Sequence, residues 1–229
     1  REECRPWGHF YHTMYNKWLG PMSHDDSEPF QFLEIGFHWG RGHDAYKMFL
    51  PQAEIHSMEV AIATAKKNKN FEQLRNDGRL HIGDASDVKL LDKIRKSKMR
   101  RPDAPPLKVV IDDGSHYSRH MVQSVFYWFP KIEPGGLMFV EDIQPIEIAN
   151  KFRTQFLPQI MADLHFCGDP KFMEEPCFPT LQPLLASIHC EMHICVFERN
   201  DKPAIPDTTD DLTTPTGALD LKTCKALLR

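Results

Sequence analysis

The sequence predicts an α/β protein: a Rossmann-like, mostly parallel seven-stranded sheet with an antiparallel last strand and helices on both faces. Three observations carry that prediction. Between residues 31 and 141, apolar runs of strand length alternate with longer helix-like stretches, as repeated βα units require. The first apolar run leads into the Gly-spaced turn Gly36-Phe37-His38-Trp39-Gly40-Arg41-Gly42. Late in the chain, two β-prone runs are separated only by Glu191 and Met192, which predicts an antiparallel pair.

Taken in order, strands are expected at 30–35, 54–60, 79–82, 107–111 and 136–140, with helices at 42–49, 61–76, 86–98 and 118–129 between them. Each helical stretch is long enough for the right-handed crossover that parallel strands need. A helix over 145–161 follows, then a Pro-containing connection without clear period, then strands at 185–190 and 193–199. From Asn200 the chain is rich in Asp, Thr and Pro and reads as a polar tail, with a short helix near 219–228. Residues 5–19 are dense in aromatics and histidine (Trp7, His9, Phe10, Tyr11, His12, Tyr15, Trp18). Such a segment either packs on the sheet or forms a lid over a cofactor. The organisation is therefore an aromatic-rich segment at 1–29, one α/β domain at 30–199 and a tail at 200–229.

A chain of 229 residues that is 41% hydrophobic can bury one substantial core. The net charge of -4 gives no basic field, so a nucleic-acid partner is not expected and a small acceptor is. No apolar run approaches the roughly eighteen residues a membrane span needs, and no signal-peptide pattern opens the chain. Because it begins at Arg1 rather than Met, the compartment stays open. The cysteines Cys4, Cys167, Cys177, Cys190, Cys195 and Cys224 include no C-x-x-C pair, which argues against structural zinc. Cys167 and Cys177 bracket a Pro-containing loop and can pair in an oxidising compartment; reduced thiols are the default expectation.

Candidate chemistry lies at the strand ends. The glycines of the first turn, Gly36 and Gly40 among them, let a ligand approach the backbone closely. The pattern lacks the Lys-Ser/Thr of a phosphate loop, and His38 stands where G-x-G-x-x-G wants its second glycine. Glu34, Glu59 and Asp84 end three successive strands. They suit a cofactor with an ammonium, a ribose and an adenine. The alternative for each acid is a solvated strand end or a helix cap.

The densest constellation closes the next two strands: Ile111-Asp112-Asp113-Gly114-Ser115-His116 and Val140-Glu141-Asp142-Ile143. Neighbouring strands lie about 4.8 Å apart, so four carboxylates would crowd one crevice. That is costly unless a cation sits among them. Oxygen ligands point to Mg²⁺ or a similar divalent ion. His116 can take a proton from a hydroxyl acidified by such a metal, a combination suited to O-methylation. Asp112 is expected beside the cofactor rather than on the metal.

These segments resemble the metal-dependent O-methyltransferases of macrolide sugars, which are class I S-adenosylmethionine-dependent enzymes with this same budget of five parallel strands and a hairpin. The resemblance runs through IDDGSH, EPGG and FVEDI and covers roughly residues 7–145. It implies Asp113, Glu141 and Asp142 as Mg²⁺ ligands and His116 as general base. It further implies cofactor contacts at the LEIG turn, Glu59 and the GDASD segment, Asp84 and Ala85 included. GHFYHTMY is similar to the family's H-x-Y element. Arg41-Gly42-His43-Asp44 departs from the Gly-Ser pair of many members. The expected activity is O-methylation of a sugar, glycoside or related small molecule, with room for a homo-oligomer and, by family analogy, a cytoplasmic location. A secretory-pathway lumen is the alternative. Two other functions compete: a silent methyltransferase-fold binding module, and a nucleotide-dependent oxidoreductase, which the broken G-x-G-x-x-G disfavours.

Overall fold

The computed structural model describes residues 11–24, 26–166 and 176–205. The expectations for Trp7, His9, Phe10, Cys167 and the helix near 219–228 lie outside these residues. The strands are β1 (Phe30–Ile35), β2 (Ala53–Glu59), β3 (Leu80–Ile82), β4 (Leu107–Asp112), β5 (Leu137–Val140), β6 (Leu185–Glu191) and β7 (Ile194–Arg199). Each lies within about one residue of its expected bounds, inside the usual scatter of element ends.

The seven strands form one sheet in the order β3-β2-β1-β4-β5-β7-β6. Strands β1 to β5 pair in parallel. β7 is antiparallel to both β5 and β6, so it alone opposes the others. The helices are α1 (Tyr11–Leu19), α2 (Arg41–Phe49), α3 (Ile62–Ala65), α4 (Phe71–Asn76), α5 (Val88–Ile94), α6 (Ser118–Trp128), α7 (Glu147–Lys151) and α8 (Leu157–Leu164). Among the described residues, no helix is long and apolar enough to cross a membrane.

The expected helix over 61–76 is broken into α3 and α4. The cause is Asn68, whose side-chain oxygen accepts from the Asn70 amide at 2.8 Å while its amide donates to the Trp39 carbonyl at 3.0 Å. A side chain that bonds the backbone this way competes with helix propagation. α5 starts sharply because Asp87 caps the amides of Lys89 and Leu90. The stretch expected as one helix over 145–161 is α7 and α8 joined by a π-helical turn, Phe152–Phe156.

Alternate strand residues enter two cores. Leu33, Val110, Met138 and Phe197 face α5, α6 and α8, while Phe32, Val109, Phe139 and Val196 face α1. α1 presents Tyr11, Met14 and Leu19 to that second face. The described part of the aromatic segment is thus packed on the sheet. Fully burying each such side chain is worth about 1.5–3 kcal/mol. A disulfide joins the register partners Cys190 and Cys195 across the final hairpin. Cys177 is also disulfide-bonded.

Candidate active site

Strand order reverses between β1 and β4, and the crevice at the carboxyl ends of strands flanking such a point is where open α/β sheets bind ligands. A cleft of about 750 Å³ opens there, lined by Gly36 after β1, Glu59 of β2, Asp84 and Ala85 after β3, Asp112 of β4 with Asp113 to His116 after it, and Asp142 after β5. Gly36 has φ 108°, and a Cβ there would stand 2.0 Å from the Asp113 carbonyl oxygen. Only glycine permits that approach of the two strand ends. Gly40 serves a different purpose. Its φ of 77° forms the N-cap of α2, and it packs against Asn68 and Phe37 rather than lining the cleft.

Glu59 accepts from the amides of His38 at 2.6 Å and Ala61 at 2.8 Å. These bonds tie the first turn to β2 and fix the carboxylate at the cleft wall. Asp84 accepts from the Ser86 amide at 2.8 Å, which holds its carboxyl below the usual range. Asp112 is largely buried where it lines the cleft, and accepts from the Gly114 amide at 3.2 Å.

Glu34 faces a neighbouring cavity of about 210 Å³, lined also by Tyr46 and Glu141, whose walls at Gly36, His38 and Asp113 are shared with the larger cleft. Burial pushes the Glu34 carboxyl up to about 8, against the pull of the Ser57 hydroxyl. Burial also raises Asp113, with Glu141, Asp142 and Asp112 adding like-charge repulsion. Glu141 is raised for the same reason. Carboxylates that resist ionising so close together are met either by protons or by a cation.

Asp113, His116 and Asp142 each offer a ligand atom within 4.8 Å of the others. The two carboxylates offer oxygen ligands that fit a divalent ion, with the imidazole standing beside them. Glu141 lies outside that grouping, and its Oε1 accepts the Tyr15 hydroxyl. Asp142 takes the Tyr11 hydroxyl on Oδ1 at 2.6 Å, while its Oδ2 stands 3.6 Å from His116 Nε2. His116 and Asp142 both hold left-handed backbone, at φ 57° and 52°. Non-glycine residues in that region cost about 1–3 kcal/mol each and cluster at functional sites.

Tyr11 and Tyr15, one turn apart on α1, were not singled out as acid partners from the sequence. Nor was Tyr46 of α2, whose hydroxyl donates to that of Tyr15 at 3.3 Å. The available signal was the i, i+4 spacing of two tyrosines in the aromatic-rich segment.

The strand order, the switch-point cleft and the acids at the ends of β1 to β5 define the class I methyltransferase fold. Within it, the chain is similar to sugar O-methyltransferases. Mycinamicin VI 2''-O-methyltransferase of Micromonospora griseorubida is 32% identical over 118 residues, covering 48% of this chain and 26% of that enzyme. The 8-demethyl-8-alpha-L-rhamnosyl tetracenomycin-C 2'-O-methyltransferase of Streptomyces olivaceus is 31% identical over 103 residues, covering 41% of this chain and 27% of that enzyme. The matched stretch thus spans about a quarter of these curated relatives. MycE methyltransferase from the mycinamycin biosynthetic pathway, solved with Mg, SAH and mycinamycin VI, shares the fold at TM-score 0.62 and 19% identity, over 89% of this chain and 54% of that one. No family model matches the chain.

Proposed function

We propose that this chain is an S-adenosylmethionine-dependent, Mg²⁺-assisted O-methyltransferase acting on a hydroxyl of a sugar or glycoside. The observation that carries the reading is the meeting of Asp113, His116 and Asp142 at one end of the larger cleft. A donor-sized cavity and a site for a hydroxyl acceptor thereby share a wall. The similar enzymes, named as sugar O-methyltransferases, and the Mg- and SAH-bound MycE structure support the same assignment.

In this reading Glu59 faces the ribose hydroxyls, Asp84 and Ala85 the adenine, and Glu34 the methionine ammonium. Asp113 and Asp142 hold the metal, and Glu141 completes the acidic wall under Tyr15. When bound, Mg²⁺ would acidify a chelated hydroxyl and S-adenosylmethionine would supply an electrophilic methyl group. His116 accepts the hydroxyl proton at Nε2, the ring nitrogen that faces Asp142. Positioning and charge placement provide most of the rate. The disulfides at Cys190–Cys195 and at Cys177 support maturation in an oxidising compartment such as a secretory lumen.

The test is methyl transfer from labelled S-adenosylmethionine to a panel of glycosides, with and without Mg²⁺. Transfer to glycosides that EDTA abolishes is the expected result; full activity in chelator would remove the metal role, and no transfer to any glycoside would remove the acceptor class.

A further inference from the structure

A buried hydrogen-bonded chain behind the smaller cavity is not part of the metal cluster. Glu34 of β1 and Ser57 of β2 are register partners on adjacent strands. The Ser57 hydroxyl donates to Glu34 Oε2 at 2.8 Å and stands 2.9 Å from His43 Nδ1 on α2. All three residues are buried, at 4%, 0% and 3% exposure. With Glu34 ionised, as an ammonium partner requires, the single Ser57 hydrogen goes to the carboxylate and Nδ1 of His43 carries the proton that reaches Ser57 Oγ. Burial also keeps the His43 pKa below its ordinary value, consistent with a neutral ring.

The relay occupies one oxygen of Glu34. The other, Oε1, lies against Gly42 in the first turn of α2, where a Cβ would come within 2.2 Å of it. No hydrogen bond to Oε1 is made among the described residues, and Glu34 lines the cavity that adjoins the donor cleft at Gly36 and His38. We propose that Ser57 and His43 are positioning residues that hold Glu34 toward the α-ammonium of the methyl donor's methionine end, making the smaller cavity the place where that end is selected.

The inference rests on the S-adenosylmethionine reading above. It gives the departure at Arg41-Gly42-His43-Asp44 a purpose, since His43 supplies the terminal donor of the relay. A carboxylate already oriented by a serine meets an ammonium without first losing rotational freedom. Without the hydroxyl, that buried carboxylate lacks a donor and is a poorer ion-pair partner.

Calorimetric titration with S-adenosylhomocysteine and with 5′-methylthioadenosine, which keeps the nucleoside but lacks the amino-acid end, tests the proposal. Ser57→Ala and His43→Phe should weaken S-adenosylhomocysteine binding by about tenfold while leaving methylthioadenosine within about twofold. His43→Asn, whose side-chain amide can still donate to Ser57, should recover most of the loss. An equal fall for both ligands would mean that the relay merely supports the fold, and an undiminished affinity for S-adenosylhomocysteine would remove its role. If the unsubstituted protein binds neither ligand, the donor assignment itself fails, before any variant is compared.

Discussion

His116 and Asp142 face one another from left-handed backbone, a conformation that glycine would adopt at far lower cost. His116→Gly should therefore unfold at higher urea than His116→Ala, by about 1 kcal/mol, while both lose turnover by about 10²- to 10⁴-fold. Equal unfolding midpoints would show that the backbone there is not strained. Tyr15→Phe removes the donor that favours the ionised form of Glu141. Mg²⁺ affinity, read by calorimetry, should fall about tenfold with the fold intact; an unchanged affinity would detach α1 from the metal site. The acids and His116 were legible in the sequence because strand periodicity alone puts them at strand ends. The tyrosines were not, since their partners lie 126 to 131 residues away and only packing brings them together.

Among the elements, β2 and β3 are fastened away from the cleft by a buried polar network. His56 Nδ1 and His81 Nε2 are 3.1 Å apart, and Glu54 bonds His56, Arg79 and Arg101. Burial holds His56 down to about 4 and His81 down to about 3. The unfolded rings bind protons near pH 6.5, so this contribution is full above that value and is lost as pH falls toward 4. His56 alone accounts for about 2 kcal/mol of that loss by pH 5. His81→Leu should flatten acid unfolding followed by circular dichroism between pH 6.5 and 4; an unaltered profile would place the acid sensitivity elsewhere. In the last hairpin, reducing Cys190–Cys195 should cost about 2 kcal/mol for so short a loop, measured as the shift in denaturant midpoint. The strands were readable almost to the residue. The helix over 61–76 was not, because its break depends on Asn68 meeting the Trp39 carbonyl across a turn.

At the scale of the whole molecule, the acidic crevice opposes folding when it is charged. Glu34, raised to about 8, and Asp113 and Glu141, also raised, hold protons more tightly folded than unfolded. Their contribution is full below about pH 4 and is lost as pH rises toward 8. Between pH 6.5 and 8, above the range in which His56 and His81 act, metal-free protein should therefore melt at progressively lower temperature, with saturating Mg²⁺ restoring the loss. A melting temperature indifferent to Mg²⁺ at pH 8 would remove the ion from the crevice. Sheet class and strand order were readable because both follow from local patterning and the crossover rule, whereas the place of α1 was undecided because it depends on the distant β7. That place bears on how the protein comes to exist. α1 shares its core with Ile194 and Val196, and Thr13 bonds Glu191 at 2.6 Å. A ribosome thus releases α1 before the hairpin that completes its seat, so the tyrosines settle against Glu141 and Asp142 only once Ile194 and Val196 have followed.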